Sequence, residues 1–529
     1  MQRRTLLAAS LAAGAATLAL PRLAGAADAS VLRFTPEADL AVLDPIWTTS
    51  SQTTQHAYLV YDTLWGVDEQ YRPQPQMLEG HTVEDDGRTW RLTLRDGLLF
   101  HDGTKVLARD AAASLLRWGK RDTFGQAMLA ATDEISAPDD RTVVIRLKLP
   151  FPVADAVGKT SGNMCAIMPE RVAKTDAFTQ IREVVGSGPF RYRPDETVTG
   201  AKVVYARNGS YVPRPNGTTS GTTGPKIAHF ERIEWAILPD PTTSVGALQR
   251  GEIDWLLTPN ADLLDVLRRD KGVVVRVISP TGSISCMRFN QLQPPFDRPA
   301  IRRAFFPAIV QSDYMIAMNG EDRSRWNDGV GYFCPGLPMA NDAGIAALAG
   351  PRSLDAAKRA LEQAGYKGER VVLLGPADVP YAKILADVTA DLYKRLGLNL
   401  DYQQMDWGTL VQRRAKTDSL DHEGWSVFQT NWPGPDQANP AVHVFLRGNG
   451  RDAAPGWPDS PAIEQLRNAW LRTADTDEQK QLARKIQLQA FEDVPYIPLG
   501  QMITPTAHRA DLAGMIPGAV PVFWNIRRS

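Results

Sequence analysis

A chain of 529 residues exceeds what one hydrophobic core usually serves, so two or three globular units are expected. Its 59 Lys and Arg nearly balance 60 Asp and Glu, and 43% of residues are apolar, as in an ordinary soluble protein. No basic tract or charge excess points to nucleic acid as a partner.

The first element is not part of the fold. Arg3 and Arg4 precede an uncharged run from Thr5 to Leu20, and Ala24-Gly25-Ala26 supplies a small-residue cleavage pattern. That is the layout of a secretory signal peptide over residues 1–26, too short for a convincing membrane span. The paired arginines resemble a twin-arginine signal, although Gln2 stands where that motif prefers a hydroxyl residue. Cleavage after Ala26 would remove Arg3, Arg4 and Arg22 and take the net charge from −1 to −4. No cysteine near the cut suggests a lipid anchor, and Cys165, Cys286 and Cys334 allow at most one disulfide.

Further along, "RTWRLTLRDGLLFHDG" (residues 88–103) gathers a histidine and two aspartates among apolar residues. Trp90, Leu92 and Leu94 alternate with polar residues as a half-buried strand requires, and Asp96-Gly97 is a hairpin-turn signal. Leu98 and Phe100 then return on one face, and Asp102-Gly103 turns again. His101 and Asp102 are therefore expected to serve a turn, not acid/base chemistry. Leu107, Ala111, Leu115 and Trp118 share one helical stripe that Gly119 ends. "RTVVIRLKL" (141–149) alternates as a strand. "GSGPF" (186–190) leads into a strand where a phosphate loop would need a helix, and 212–226 is a Gly/Pro/Thr-rich loop. In the second half, "VVLLG" (371–375) reads as a buried strand. A helix through Ile384, Val388, Leu392 and Leu396 follows, then Gly397 and the strand "LNLDY". This β-α-β order implies a parallel pair. Another helix through Leu354 and Leu361 stops at Gly365, and a late helix precedes an extended "VPYIPLG".

A secreted hydrolase is the competing class, and its local signatures are missing. None of the seven histidines forms a zinc-binding i, i+4 pair, and no Gly-x-Ser-x-Gly elbow occurs. Gly158-Lys159-Thr160 mimics the end of a P-loop but has Val153 where its first glycine belongs.

The motifs assemble into a resemblance. "LDPIW" (43–47), the segment 86–118, "GSGPF", "ALQRGEIDW" (247–255), "FNQLQPPFDRPAIRRAF" (289–305) and "AKRALEQAGY" (357–366) occur in this order. Together they are similar to the ABC-importer solute-binding proteins of family 5, the group of periplasmic dipeptide-, oligopeptide- and nickel-binding proteins. The resemblance implies an α/β, two-lobed Venus-flytrap fold with an extra domain inserted in the first lobe. By resemblance the first lobe comprises residues 27–72, 185–275 and 500–529, the insert 73–184 and the second lobe 276–499. It further implies a monomer that captures a small, peptide-like solute without chemistry or cofactor. A membrane permease and its ATPase would be the partners in the periplasm.

The cleft should combine aromatic walls with a few fixed polar groups. "QMDWGTL" (404–410) and "TNWPGPDQANP" (430–440) offer Trp407, Asn431, Trp432 and Asp436. Peptide-binding relatives carry an ammonium-pairing aspartate near the latter segment. Here Pro435 falls about at that position and Asp436 follows it, so Asp436 is either a ligand contact or a turn residue. Asn290 is either a cleft amide or a loop-shaping one, and Thr49 and Ser50, with Thr48, either line the first lobe or cap the next helix. His443 is a metal-chelate contact in the manner of nickel-binding relatives, or structural.

Overall fold

The computed structural model describes residues 29–160, 162–473 and 475–529, so the signal-peptide reading of 1–26 lies outside the described residues. Three larger sheets organise the chain. The first has seven strands in the spatial order Val273–Arg276, Thr506–Arg509, Trp255–Leu256, Val31–Thr35, Arg232–Ala236, Lys202–Arg207, Phe190–Tyr192. Its strands thus come from both ends of the chain and from the middle. Val31–Thr35 runs parallel to both Arg232–Ala236 and Trp255–Leu256. Alternation buries Phe34, whose ring lies 4.8 Å from Trp255, 5.0 Å from Phe523 and 5.7 Å from Trp235. Each such buried side chain contributes about 1.5–3 kcal/mol of hydrophobic stabilisation.

The second sheet runs Trp326–Asn327, Tyr496–Met502, Ser283–Phe289, Val427–Pro433, Arg370–Pro376, Asn399–Met405. The expected β-α-β unit is here. Arg370–Pro376 is buried from Val371 to Pro376, and helix Pro380–Leu396 stops at Gly397 with φ +79°. Asn399–Met405 then returns parallel to it. A strand buried on both faces explains the unbroken apolar run "VVLLG".

The third sheet, Leu78–Glu84, Thr89–Leu94, Thr142–Leu147, Thr132–Ser136, is antiparallel and is packed by helix Ala108–Gly119. It corrects the hairpin expected at Asp96-Gly97. Thr89–Leu94 pairs instead with the preceding strand Leu78–Glu84, across a turn in which Asp85, Asp86 and Gly87 all have positive φ. Residues beyond Gly97 curl on themselves, with Phe100 N donating to Thr104 O and Val106 N to Leu98 O. His101 and Asp102 serve this arrangement. The His101 ring lies 3.1 Å from Gly188 O, and Asp102 pairs with Arg171 at 2.8 Å. The glycines of "GSGPF" allow close backbone approach. A Cβ on Gly186 would lie 2.0 Å from Val60 O, at the end of helix Ser51–Val60.

The chain passes between the first and second sheets at residues 277–282 and again at 503–505. These crossovers touch: Gly282 has φ +49°, and a Cβ there would lie 2.0 Å from Met502 O. All three cysteines are buried and unpaired, so the one disulfide that the sequence allowed is not formed. No helix among the described residues is long and apolar enough to cross a membrane.

Candidate functional site

In open α/β sheets, ligands bind where the carboxyl ends of parallel strands leave loops free. In the second sheet, Arg370–Pro376, Asn399–Met405 and Val427–Pro433 run in the same direction, so the loops that follow them emerge at one edge. That edge carries Asp378, Tyr381, Trp407, Asn431, Trp432 and Asp436. Both crossovers join it as well, since Ser283 pairs with Pro433 and with Met502. In the first sheet, Val31–Thr35 likewise ends at Thr35, followed by Pro36 and Glu37. Glu37 and Tyr381 interact across the lobes, because the Glu37 charge helps raise the Tyr381 pKa. The end of this first-sheet strand therefore lies near Tyr381 of the second-sheet edge.

Local sequence explains how the side chains are held. Asp406 caps helix Trp407–Arg413 by accepting from Thr409 N at 3.0 Å, while Asp378 accepts from Trp407 N at 2.8 Å. Half-buried Trp407 is thereby fixed at the start of the helix, and Arg414, at its end, folds back with its guanidinium 5.6 Å from the Trp407 ring and 5.2 Å from Phe428. Burial lowers the Arg414 pKa. Trp432 stacks obliquely 4.5 Å from Phe445, and its carbonyl accepts from Gln437 at 3.0 Å. Asn431 accepts from Ser285 Oγ at 2.7 Å. The Trp432 indole N–H and the Asn431 amide N–H2 have no hydrogen-bond partner among the described residues. Asp436 is buried in a short 3-10 turn, Gly434–Gln437.

The remaining sequence candidates are placed differently. Asn290 is fully buried and both ends of its amide are engaged, donating to Trp425 O at 2.9 Å and accepting from Leu292 N at 3.0 Å. It is a loop-shaping residue in this geometry. Thr49 is exposed beside Gly162, and Ser50 precedes helix Ser51–Val60 without a side-chain cap, its Oγ donating to Gln52 at 2.6 Å. Thr48 Oγ1 accepts from Ser50 N at 3.2 Å. His443 is buried, with Nε2 2.9 Å from both Tyr332 O and the Tyr496 hydroxyl. No group of three or more His, Cys, Asp or Glu suited to a metal occurs among the described residues.

Three residues at these edges escaped the sequence reading: Glu37, Tyr381 and Arg414. Glu37 retains exposed surface yet is walled in by protein, and removal from bulk water raises its carboxyl pKa. Tyr381 is pushed up to about 12, by burial first and then by Glu37, while Arg414 and Thr430 act in the opposite direction. Behind this edge Arg288 is wholly buried with carbonyl acceptors only: Phe445, Pro495, Ala454 and Pro455. Burial lowers its pKa to about 10.

A cavity of about 460 Å3 lies elsewhere, between helices Thr123–Ala131 and Pro461–Trp470. Most of its charges are already engaged: Arg447 pairs with Glu464 at 3.0 Å, and Arg467 donates to Pro440 O and Ala441 O, while Arg472 also lines it. None of the sequence-derived candidates lines it, which favours the second-sheet edge as the site.

Two α/β lobes joined by paired crossovers, with the loops after parallel strands gathered beside those crossovers, define a two-lobed binding protein. The family of bacterial extracellular solute-binding proteins, family 5, matches residues 72–452 through its Middle region, and the chain belongs to that family. It is 37% identical to a probable peptide ABC transporter periplasmic-binding protein, y4tO, of Sinorhizobium fredii, over the full length of both chains. Its fold is similar to that of the Helicobacter pylori periplasmic binding protein DppA in complex with the peptide STSA, with TM-score 0.77, 21% identity, and 94% of this chain and 98% of that one covered. It is equally similar to AgaA of A. tumefacien R10 in complex with agropinic acid, with TM-score 0.77, 19% identity, and coverage of 94% and 99%. The expected two-lobed α/β fold and solute-binding family are met, and membership of this family gives the hydrolase alternative no support.

Proposed function

We propose that the protein captures a small, peptide-like solute in the periplasm and hands it, unmodified, to the permease of an ABC importer. The observation that carries this reading is the second-sheet edge where parallel strands end, which gathers Trp407, Arg414, Asn431 and Trp432 beside the crossovers to the first sheet. The relative y4tO, named for peptide ABC transport, supports the solute class. The first sheet and the insert, residues 29–276 and 506–529, move as one body against the second lobe, 283–502, and flexing is confined to residues 277–282 and 503–505. Trp407 and Trp432 wall the guest, Asn431 donates to it, and Asp436 shapes the turn beside it. Thr49 and Ser50 belong to the first-lobe wall at the outer end. The protein acts as a monomer and performs no chemistry on its guest, because closure alone is the signal the permease reads.

A guest that prefers the closed form stabilises the protein by RT ln(1 + [L]/Kd), about 2.7 kcal/mol at a hundredfold excess over Kd. Native mass spectrometry of gently purified protein is expected to find one small molecule per chain, and adding that molecule to stripped protein should raise the melting temperature. Turnover of the bound compound would refute the reading.

A further inference from the structure

The cavity between helices Thr123–Ala131 and Pro461–Trp470 carries positive charge that no acid answers. Its second-lobe wall holds Arg447, Glu464, Arg467 and Arg472. Arg447 and Glu464 cancel each other: the guanidinium meets the two carboxylate oxygens at 3.0 and 3.2 Å, and Gly448 N donates to one of them at 2.9 Å. Arg467 and Arg472 have no ion pair among the described residues. Arg467 is only 4% exposed and is held by carbonyls alone, Nε donating to Pro440 O at 3.0 Å and Nη2 to Ala441 O at a long 3.4 Å. Its Nη1 has no acceptor among the described residues, a costly state for a buried cationic donor. Burial first, and then the Arg447 charge, lower the Arg467 pKa to about 10, which a bound anion would offset. Arg472 stands exposed just past the end of its helix, and its side chain makes no hydrogen bond among the described residues.

The facing wall, supplied by the insert, is largely apolar. Ala127, Ala130 and Ala131 of helix Thr123–Ala131 contribute only methyl groups, and Pro150 and Phe151 continue the surface. Leu149 also lines it and is 49% exposed, unlike the buried leucines of the adjoining sheet. Two unanswered guanidinium groups thus stand across from an apolar surface that water still reaches.

We propose that this cavity is a second binding site, taking a monocarboxylate on a short apolar chain, with the carboxylate on Arg467 and Arg472 and the chain against the insert. The planar fork of arginine matches the two oxygens of a carboxylate. A volume of about 460 Å3 falls within the range of small-molecule sites. Other occupants fit less well. An inorganic anion leaves the apolar wall in water, a neutral apolar molecule leaves Arg467 unpaired, and a dianion is repelled by the neighbouring Glu464. The site lies apart from the strand-end edge and stands whether or not the transport reading does. Its occupant bridges the insert and the second lobe, so it binds the folded chain alone and stabilises it.

The test titrates the mature protein calorimetrically with octanoate, with its neutral isostere octanamide, with acetate and with inorganic phosphate. Octanoate should bind once per chain, about tenfold or more tightly than each of the other three, and raise the melting temperature. Arg472→Gln should weaken octanoate about fivefold while leaving octanamide unchanged. Ala130→Trp, which adds an indole at the exposed face of the cavity wall, should abolish octanoate binding. Ligand-free melting temperatures verify that both variants fold. Octanamide binding as tightly as octanoate would overturn the assignment of the two arginines. Acetate or phosphate matching octanoate would overturn that of the apolar wall. Undiminished octanoate binding by the Ala130→Trp variant would place the anion elsewhere, and no binding of octanoate at all would end the proposal.

Discussion

Replacing Arg117 by methionine is expected to destabilise the protein by about 3–5 kcal/mol, because it strands a buried carboxylate. Arg117 and Asp44 are 3% and 0% exposed and form a two-pronged pair at 3.0 and 2.7 Å. The guanidinium also donates to Thr175 O and Thr179 O, and Asp44 accepts from Ile181 N. Asp44 belongs to the Asp-Pro element near the start of the chain, whereas Arg117 lies on helix Ala108–Gly119 against the four-stranded sheet. The pair thus ties the amino-terminal segment to the antiparallel sheet's helix. Removing both charges together, as in Asp44→Leu with Arg117→Met, should recover much of the loss, since the desolvated charge is then gone. Urea unfolding of the three variants measures this, with the midpoint falling while the slope stays unchanged. A loss below about 1 kcal/mol for Arg117→Met would mean that solvent reaches Asp44 freely.

Lowering the pH from 7 to 4.5 is expected to weaken the fold by about 5 kcal/mol through two histidines alone. His56 and His443 are buried, and burial lowers each pKa to about 3, far below the ordinary 6.5. His56 Nδ1 lies 2.9 Å from the Tyr205 hydroxyl. The sign follows from linkage: both rings are neutral in the fold, while the unfolded chain takes up protons below pH 6.5. Their stabilisation is complete above that value and is lost progressively as the pH falls toward about 3. His101, lowered to about 4, acts in the same direction. Unfolding free energies measured at half-unit intervals should show this slope, and His443→Gln should reduce it by about one proton. A flat profile between pH 6.5 and 4.5 would contradict the neutral, buried rings.

The parts of the fold legible in the sequence were those fixed by periodicity over many residues. The run from Val371 to Tyr402 announces a parallel β-α-β unit because its apolar spacing changes from continuous to helical and back, with Gly397 at the one point needing positive φ. The hairpin forms at Asp85-Asp86-Gly87 and not at Asp96-Gly97, although the two are equally good turns locally. Which one joins paired strands is decided by the strand Leu78–Glu84, whose pattern is faint: beyond Leu78 its residues are largely exposed. At the site, Trp407 and Trp432 stood out as aromatics in polar, proline-rich loops. Glu37, Tyr381 and Arg414 did not, for each has an ordinary local role: a loop acid, a first-turn helix residue and a helix-end cation. Their relation is purely tertiary, created when lobes built from distant segments meet. Asn290 shows the converse, an amide that looks available in sequence and is wholly engaged by Trp425 and Leu292.

The proposed mechanism is closure of two rigid lobes on a guest, with bending at residues 277–282 and 503–505. Small-angle X-ray scattering of stripped protein, before and after saturation with the guest identified by native mass spectrometry, tests it most directly. The radius of gyration should fall in the bound state and return to the free value when the guest is removed. Superimposable scattering curves for the free and fully bound protein would contradict it.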